Sequence, residues 1–142
     1  MPISDEMKKS FNVLIVDDDQ VSLRLTEGHL RSIGFVNVTA VEDGKKALRK
    51  IELTKIDLII CDLYMPELSG VDLLKEVRSF ERYREVPFIM LTGETAKDKV
   101  LGVVKAGVTD YVIKPVTKSV LEAKLDGIFQ RLGITAASAA AK

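Results

Sequence analysis

Ile56-Asp57-Leu58-Ile59-Ile60-Cys61-Asp62-Leu63-Tyr64-Met65-Pro66, closed by Gly70, is the stretch whose reading decides the fold. An apolar run ends in a single carboxylate, and the chain turns at once. A run this short and continuous suits a strand buried on both faces of a parallel sheet. Its last residue then lies at the carboxyl edge, where open α/β sheets bind their ligands. Asp62 is therefore read as a nucleophile, and the question becomes what else stands at that edge.

Working outward, five short apolar runs alternate with five longer amphipathic stretches. Residues 12–16 form the first run, followed by Asp17-Asp18-Asp19; a helix over 20–33 stops at Gly34. A second strand over 36–41 leads through the turn Glu42-Asp43-Gly44 into a helix over 45–53. After the opening strand, 70–80 carries Leu73, Leu74, Val77 and Phe80 at helical spacing. A fourth strand over 86–91 turns at Thr92-Gly93-Glu94 into a helix holding Val100, Val103 and Val104. The fifth strand, 111–113, is stopped by Lys114-Pro115, and a last helix spans 118–132. Each helix returns the chain to the same end of a parallel sheet, so the expected architecture is a doubly wound α/β sandwich. Residues 11–133 read as one unit, with 1–10 and 134–142 as flexible ends.

The bulk properties narrow the function. A chain of 142 residues holds one domain with a real core. Its 21 Lys plus Arg balance 21 Asp plus Glu, so no global field recruits nucleic acid or an anionic membrane. A single cysteine, Cys61, excludes a disulfide framework and a multi-thiolate metal site, and reads as a small core residue. No apolar stretch approaches the ~20 residues of a membrane span. The first ten residues lack the apolar segment of a secretory signal, and a cytoplasmic location is expected. Lys8, Lys9 and His29 read as solvated surface.

If the strands are parallel, Asp17, Asp18, Asp19, Asp62, Thr92 and Lys114 gather at one edge. Carboxylates so crowded repel one another unless a cation sits among them. An all-oxygen set points to Mg²⁺. A carboxylate beside a metal, a lysine and a hydroxyl is an arrangement for phosphoryl transfer, with Lys114 and Thr92 serving the phosphoryl oxygens. Each residue has a plainer reading alone: a helix cap for an aspartate or Thr92, a strand exit for Lys114. It is their meeting at four strand ends that argues for chemistry.

The chain resembles the two-component response-regulator receiver family in its stand-alone, CheY-like chemotaxis form. The matching pieces are Val13-Leu14-Ile15-Val16-Asp17-Asp18, Glu42-Asp43-Gly44, Asp62-Leu63-Tyr64-Met65-Pro66 with Gly70, Leu91-Thr92-Gly93-Glu94, Ala106-Gly107 and Tyr111-Val112-Ile113-Lys114-Pro115. The resemblance implies a flavodoxin-like sheet of order 2-1-3-4-5 with five helices. It implies that Asp62 takes phosphate from a sensor histidine kinase. It also implies that Asp17, Asp18, Asp62 and the backbone carbonyl of Tyr64 hold Mg²⁺, and that the peptide bond before Pro115 is cis. Thr92 and Tyr111 become the switch, and Tyr64 and Glu94 the residues that tune dephosphorylation. Asp19 is left as the helix cap.

The partner surface implied by the resemblance comprises Thr95, Ala96, Lys97, Val100, Tyr111 and Lys124, facing a downstream target such as a flagellar motor component. Two departures from the enteric chemotaxis protein stand out, Tyr64 for an asparagine and Gly127 for a lysine; the second weakens the case for an identical motor partner. The protein is expected to catalyse nothing beyond its own phosphorylation and dephosphorylation. The alternatives are a phosphorelay receiver outside chemotaxis, or a flavodoxin-like cofactor protein. The row Asp17-Asp18-Asp19 stands against the latter, because it occupies the place of a phosphate-binding loop.

Overall fold

A computed structural model describes residues 4–93 and 102–131. Its five strands are β1 (Asn12–Val16), β2 (Asn37–Val41), β3 (Leu58–Asp62), β4 (Phe88–Thr92) and β5 (Asp110–Ile113). They form one parallel sheet in the order β2-β1-β3-β4-β5. The helices are α1 (Asp5–Ser10), α2 (Gln20–Ile33), α3 (Gly44–Leu53), α4 (Gly70–Ser79), α5 (helical over 102–105) and α6 (Lys118–Arg131). One 3-10 turn, Glu81–Tyr83, precedes β4.

The continuous apolar runs of β3 and β4 are explained by helices on both faces. Every residue of these two strands is buried, and alternate side chains feed two separate cores. On one face Val13, Ile15, Leu58, Ile60, Ile89, Leu91 and Val112 pack against Leu23, Leu30 and Ile33 of α2 and Leu121, Leu125, Ile128 and Phe129 of α6. On the other, Leu14, Val16, Ile59, Cys61, Phe88 and Met90 meet Ala47 and Ile51 of α3, Leu73, Leu74 and Val77 of α4, and Val103 of α5. Cys61 is fully buried, and that burial, followed by the negative charges of Asp62 and Asp17, pushes its thiol well above the usual range.

Caps place the helix starts at the carboxyl edge. Asp19 accepts from the Val21 N–H at 3.0 Å, Asp43 from Lys46 at 2.8 Å, and Ser69 and Asp72 form a reciprocal capping box. Asp19 is thus the cap of α2, as read from the sequence.

Three expectations are corrected. Among the described residues six helices are present rather than five, because residues 5–10 of the expected flexible end form α1. This helix buries Met7, and Phe11 behind it stacks edge-on against Phe129 with centroids 5.2 Å apart. Lys8 is not solvated surface: only 8% exposed, it donates to the Ile33 carbonyl at 3.2 Å, at the negative end of α2. His29 likewise has a partner, its Nε2 lying 3.2 Å from the Val116 carbonyl oxygen.

Candidate functional site

The register brings the strand ends together. Val16 pairs with Cys61, Asp62 with Leu91, and Thr92 with Ile113. Asp17 follows β1, Asp62 and Thr92 end β3 and β4, and Lys114 follows β5. Backbone bonds continue past the strands: Asp17 donates to Val41 at 3.1 Å, Leu63 to Leu91 at 2.8 Å and Lys114 to Thr92 at 2.8 Å. The side chains therefore leave a rigid edge rather than free loops.

Lys114 Nζ sits between two carboxylates, 3.0 Å from Asp17 Oδ2 and 3.2 Å from Asp62 Oδ1. Asp17 is fully buried, and its other oxygen accepts from the Asp19 N–H at 3.0 Å. Exposed Asp18 completes a trio: one carboxylate oxygen from each of Asp17, Asp18 and Asp62 lies within 4.8 Å of the others. Burial raises the Asp62 pKa, the negative charge of Asp17 raises it further, and Lys114 opposes both without cancelling them. For Lys114, burial pulls downward, but the hydrogen bond to Asp17 and the charges of Asp62 and Asp17 outweigh it, so its pKa is raised. The lysine is held as a cation between two carboxyl groups.

The donor set is oxygen alone, from three clustered carboxylates, one of them exposed to solvent. That is the chemistry of a hard divalent cation such as Mg²⁺, which takes few protein ligands and retains waters. The residues present fit it.

The loop after Asp62 is tightly determined. Gly70 donates to the Leu63 carbonyl at 2.9 Å, and Leu68 donates to Pro66 at 2.7 Å across a three-residue turn centred on Glu67. Glu67 has φ of +67°, which costs a side-chain-bearing residue on the order of 1 kcal/mol or more. At Gly70 an added methyl group would lie 2.4 Å from the Asp62 carbonyl oxygen and 2.7 Å from Met90 Sδ. At Gly44 it would lie 2.6 Å from Leu68 Cδ2. Tyr64, half exposed, stands in this loop.

The structure thus brings together Asp17, Asp18, Asp62 and Lys114, with Thr92 buried at the same edge. Tyr111 is half-buried on β5, the Lys124 ammonium lies 6.0 Å from its ring centroid, and Lys124 pairs with Asp110 at 3.2 Å. Glu94, Thr95, Ala96, Lys97 and Val100 lie outside the described residues. The Lys114–Pro115 bond is cis. Two features escape sequence reading. The turn at Glu42-Asp43-Gly44 gives no sign of touching Leu68. Arg78 sits among ordinary helix charges, yet donates to the carbonyls of Gly107, Tyr83 and Val86 at 2.7–3.1 Å.

Residues 13–126 match the family model described as the response regulator receiver domain. The chain belongs to this family. Receiver domains are signalling switches governed by phosphorylation rather than enzymes acting on a substrate pool; they take phosphate from histidine kinases and act on downstream targets. This receiver is 36% identical over 126 residues to the chemotaxis protein CheY-3 of Vibrio cholerae, covering 89% of this chain and 97% of that one. It is 38% identical over 120 residues to the chemotaxis protein CheY of Pseudomonas aeruginosa, covering 84% and 97%. The solved structure of the V. cholerae chemotaxis protein CheY4 superposes with a TM-score of 0.78 at 31% identity, covering 83% and 98%. The receiver domain of the sensor histidine kinase PA1611 from P. aeruginosa superposes at 0.75 with 32% identity, covering 87% and 98%. That structure has a magnesium ion coordinated in its active-site cleft.

Proposed function

We propose that this receiver is a cytoplasmic chemotaxis-type switch. Residues 11–133 act as the domain that accepts a phosphoryl group on Asp62 from a sensor histidine kinase, with Mg²⁺. The observation that carries the reading is the Lys114 ammonium held between Asp17 and Asp62, within a carboxylate cluster that includes Asp18. An Asp62 oxygen attacks phosphorus as the bond to the donor's imidazole nitrogen breaks; the electron pair stays on that nitrogen, and the donor ring, protonated on its other nitrogen, leaves as neutral imidazole. Asp17, Asp18, Asp62 and the Tyr64 carbonyl would hold Mg²⁺, which supplies positive charge to the phosphoryl oxygens when bound. Lys114 neutralises the oxygen nearest it, and the Thr92 hydroxyl serves another. Nothing more is needed, since positioning and electrostatics supply most of the rate.

Phosphorylation replaces a carboxylate by a group of roughly −1.5 to −2 charge. Thr92 follows the new oxygens, and Tyr111 turns inward behind it, shifting the population between two existing conformers. The surface that changes carries Tyr111 and Lys124, and it faces a downstream target such as a motor component. Among the described residues, no helix is long and apolar enough to cross a membrane. The family assignment removes the flavodoxin-type reading of the same architecture. The relatives' chemotaxis names favour that pathway over a phosphorelay elsewhere.

Incubation with a small-molecule phosphodonor and Mg²⁺, followed by intact mass measurement, tests the reading. Wild type gains one phosphoryl group; Asp62→Asn and wild type in chelator gain none. A gain that persists in Asp62→Asn, or its absence from wild type with Mg²⁺, overturns it.

A further inference from the structure

The loop that carries Tyr64 is tied at both ends. Leu63 donates to the Leu91 carbonyl at 2.8 Å, Gly70 donates to the Leu63 carbonyl at 2.9 Å, and Ser69 and Asp72 cap α4 just beyond. Between these ties the chain passes through the turn at Glu67, whose positive φ is disfavoured for a residue with a side chain. Such a conformation persists only where the surroundings over-determine it. The surroundings here are α3. Leu68, next to the strained residue, is partly buried against the core that α3 covers and seats on Gly44, where an added methyl group would lie 2.6 Å from Cδ2 and 3.0 Å from both Cβ and Cγ. Gly44 is itself fixed, being the first residue of α3 behind the Asp43 cap. The Lys45–Glu67 ion pair at 3.4 Å runs alongside, but both partners are about three-quarters exposed and contribute little.

We propose that Gly44 and Leu68 form a positioning pair for the Mg²⁺ site: Leu68, seated on the bare backbone of Gly44, holds the loop in the conformation that aims the Tyr64 carbonyl at the metal. The pair touches neither metal nor phosphate and acts only through the loop. The inference rests on the Mg²⁺ reading given above. It adds that the start of α3 controls metal affinity from outside the carboxylate cluster.

The test is Mg²⁺ titration of the full unphosphorylated chain by isothermal calorimetry, with thermal melts run in parallel. Gly44→Ala pushes Leu68 off its seat and raises the Mg²⁺ dissociation constant about tenfold, the usual scale for a residue supporting a ligand. Leu68→Ala removes the peg and raises it about threefold. The double variant binds no more weakly than Leu68→Ala alone, because the methyl group at position 44 then has nothing to displace. Three results overturn the proposal: wild-type affinity in Gly44→Ala, two effects that simply multiply in the double variant, or a lowered melting temperature with unchanged affinity. Should Gly44→Ala fail to fold, Leu68→Ala decides, and wild-type affinity there is equally fatal. Wild type that binds no Mg²⁺ sinks the metal reading and this inference together; wild type that binds normally beside unaffected variants sinks this inference alone.

Discussion

The two ends of the sheet are finished in opposite ways. At the amino end, polar groups are gathered into closed sets. The Tyr83 hydroxyl, in a residue only 3% exposed, accepts from the Ile56 N–H and from Arg82 and lies within donating distance of the Ile51 and Thr54 carbonyls. Arg78 gathers three carbonyls, and Lys8 closes the end of α2. At the carboxyl end, three carboxylates crowd together and two of them grip one lysine, Asp62 is pushed toward protonation, and a non-glycine residue is held at positive φ. One edge satisfies its groups; the other keeps its charges under tension. Stability can therefore be removed at one edge without touching the chemistry, and chemistry altered at the other with little cost in stability.

The sharpest way to break this contrast is Tyr83→Phe. The ring still packs, but the buried Ile56 N–H and the Arg82 guanidinium lose an acceptor, which costs about 2 kcal/mol in urea unfolding. The rate of Asp62 phosphorylation stays at the wild-type value; a fall of tenfold would show that the two edges are coupled. A second substitution asks whether unsatisfied polar groups are confined to the active edge. Thr26 on α2 is fully buried, and its hydroxyl has no hydrogen-bond partner among the described residues. Thr26→Val keeps the shape, removes that hydroxyl and stabilises the fold by about 1 kcal/mol, read by the same unfolding curve. The smallest effect is expected at Tyr64, whose half-exposed ring stands two residues beyond Asp62. Tyr64→Asn opens the path of attacking water and shortens the phospho-Asp62 lifetime about threefold, worth roughly 0.7 kcal/mol in barrier. Equal lifetimes would show that the ring plays no part in shielding the bond.

The parts legible in the sequence are those set by local pattern. Short apolar runs with a polar residue at each end yield the strands, and parallel connection then forces Asp17, Asp62, Thr92 and Lys114 to one edge. The limits of the strands shift because burial outlasts the hydrogen-bond ladder: Ile56 is buried but precedes β3, and Thr92 lies inside β4. Helix α1 escapes the periodic pattern although its end signals are present, with Ser4 as a cap, Asp5 and Glu6 in the first turn and Lys8 and Lys9 in the last. Six residues with one apolar anchor make no stripe, so composition outweighed the capping pattern. Lys8 was illegible for a different reason, since its burial depends on a carbonyl 25 residues away. The same holds for Leu68 on Gly44 and for the Lys114 bridge, where strand ends reveal proximity but not which atoms pair.

Gly70 has one further consequence. Because a hydrogen atom is all that fits between its backbone, the Asp62 carbonyl and the Met90 sulfur, the first residue of α4 rides directly on the backbone of the proposed phosphoacceptor. Any displacement of that backbone has no compressible layer to absorb it and moves the helix as a lever. For anyone building a sensor from this domain, the exposed face of α4 around Lys75 and Glu76 is the place to attach the dye.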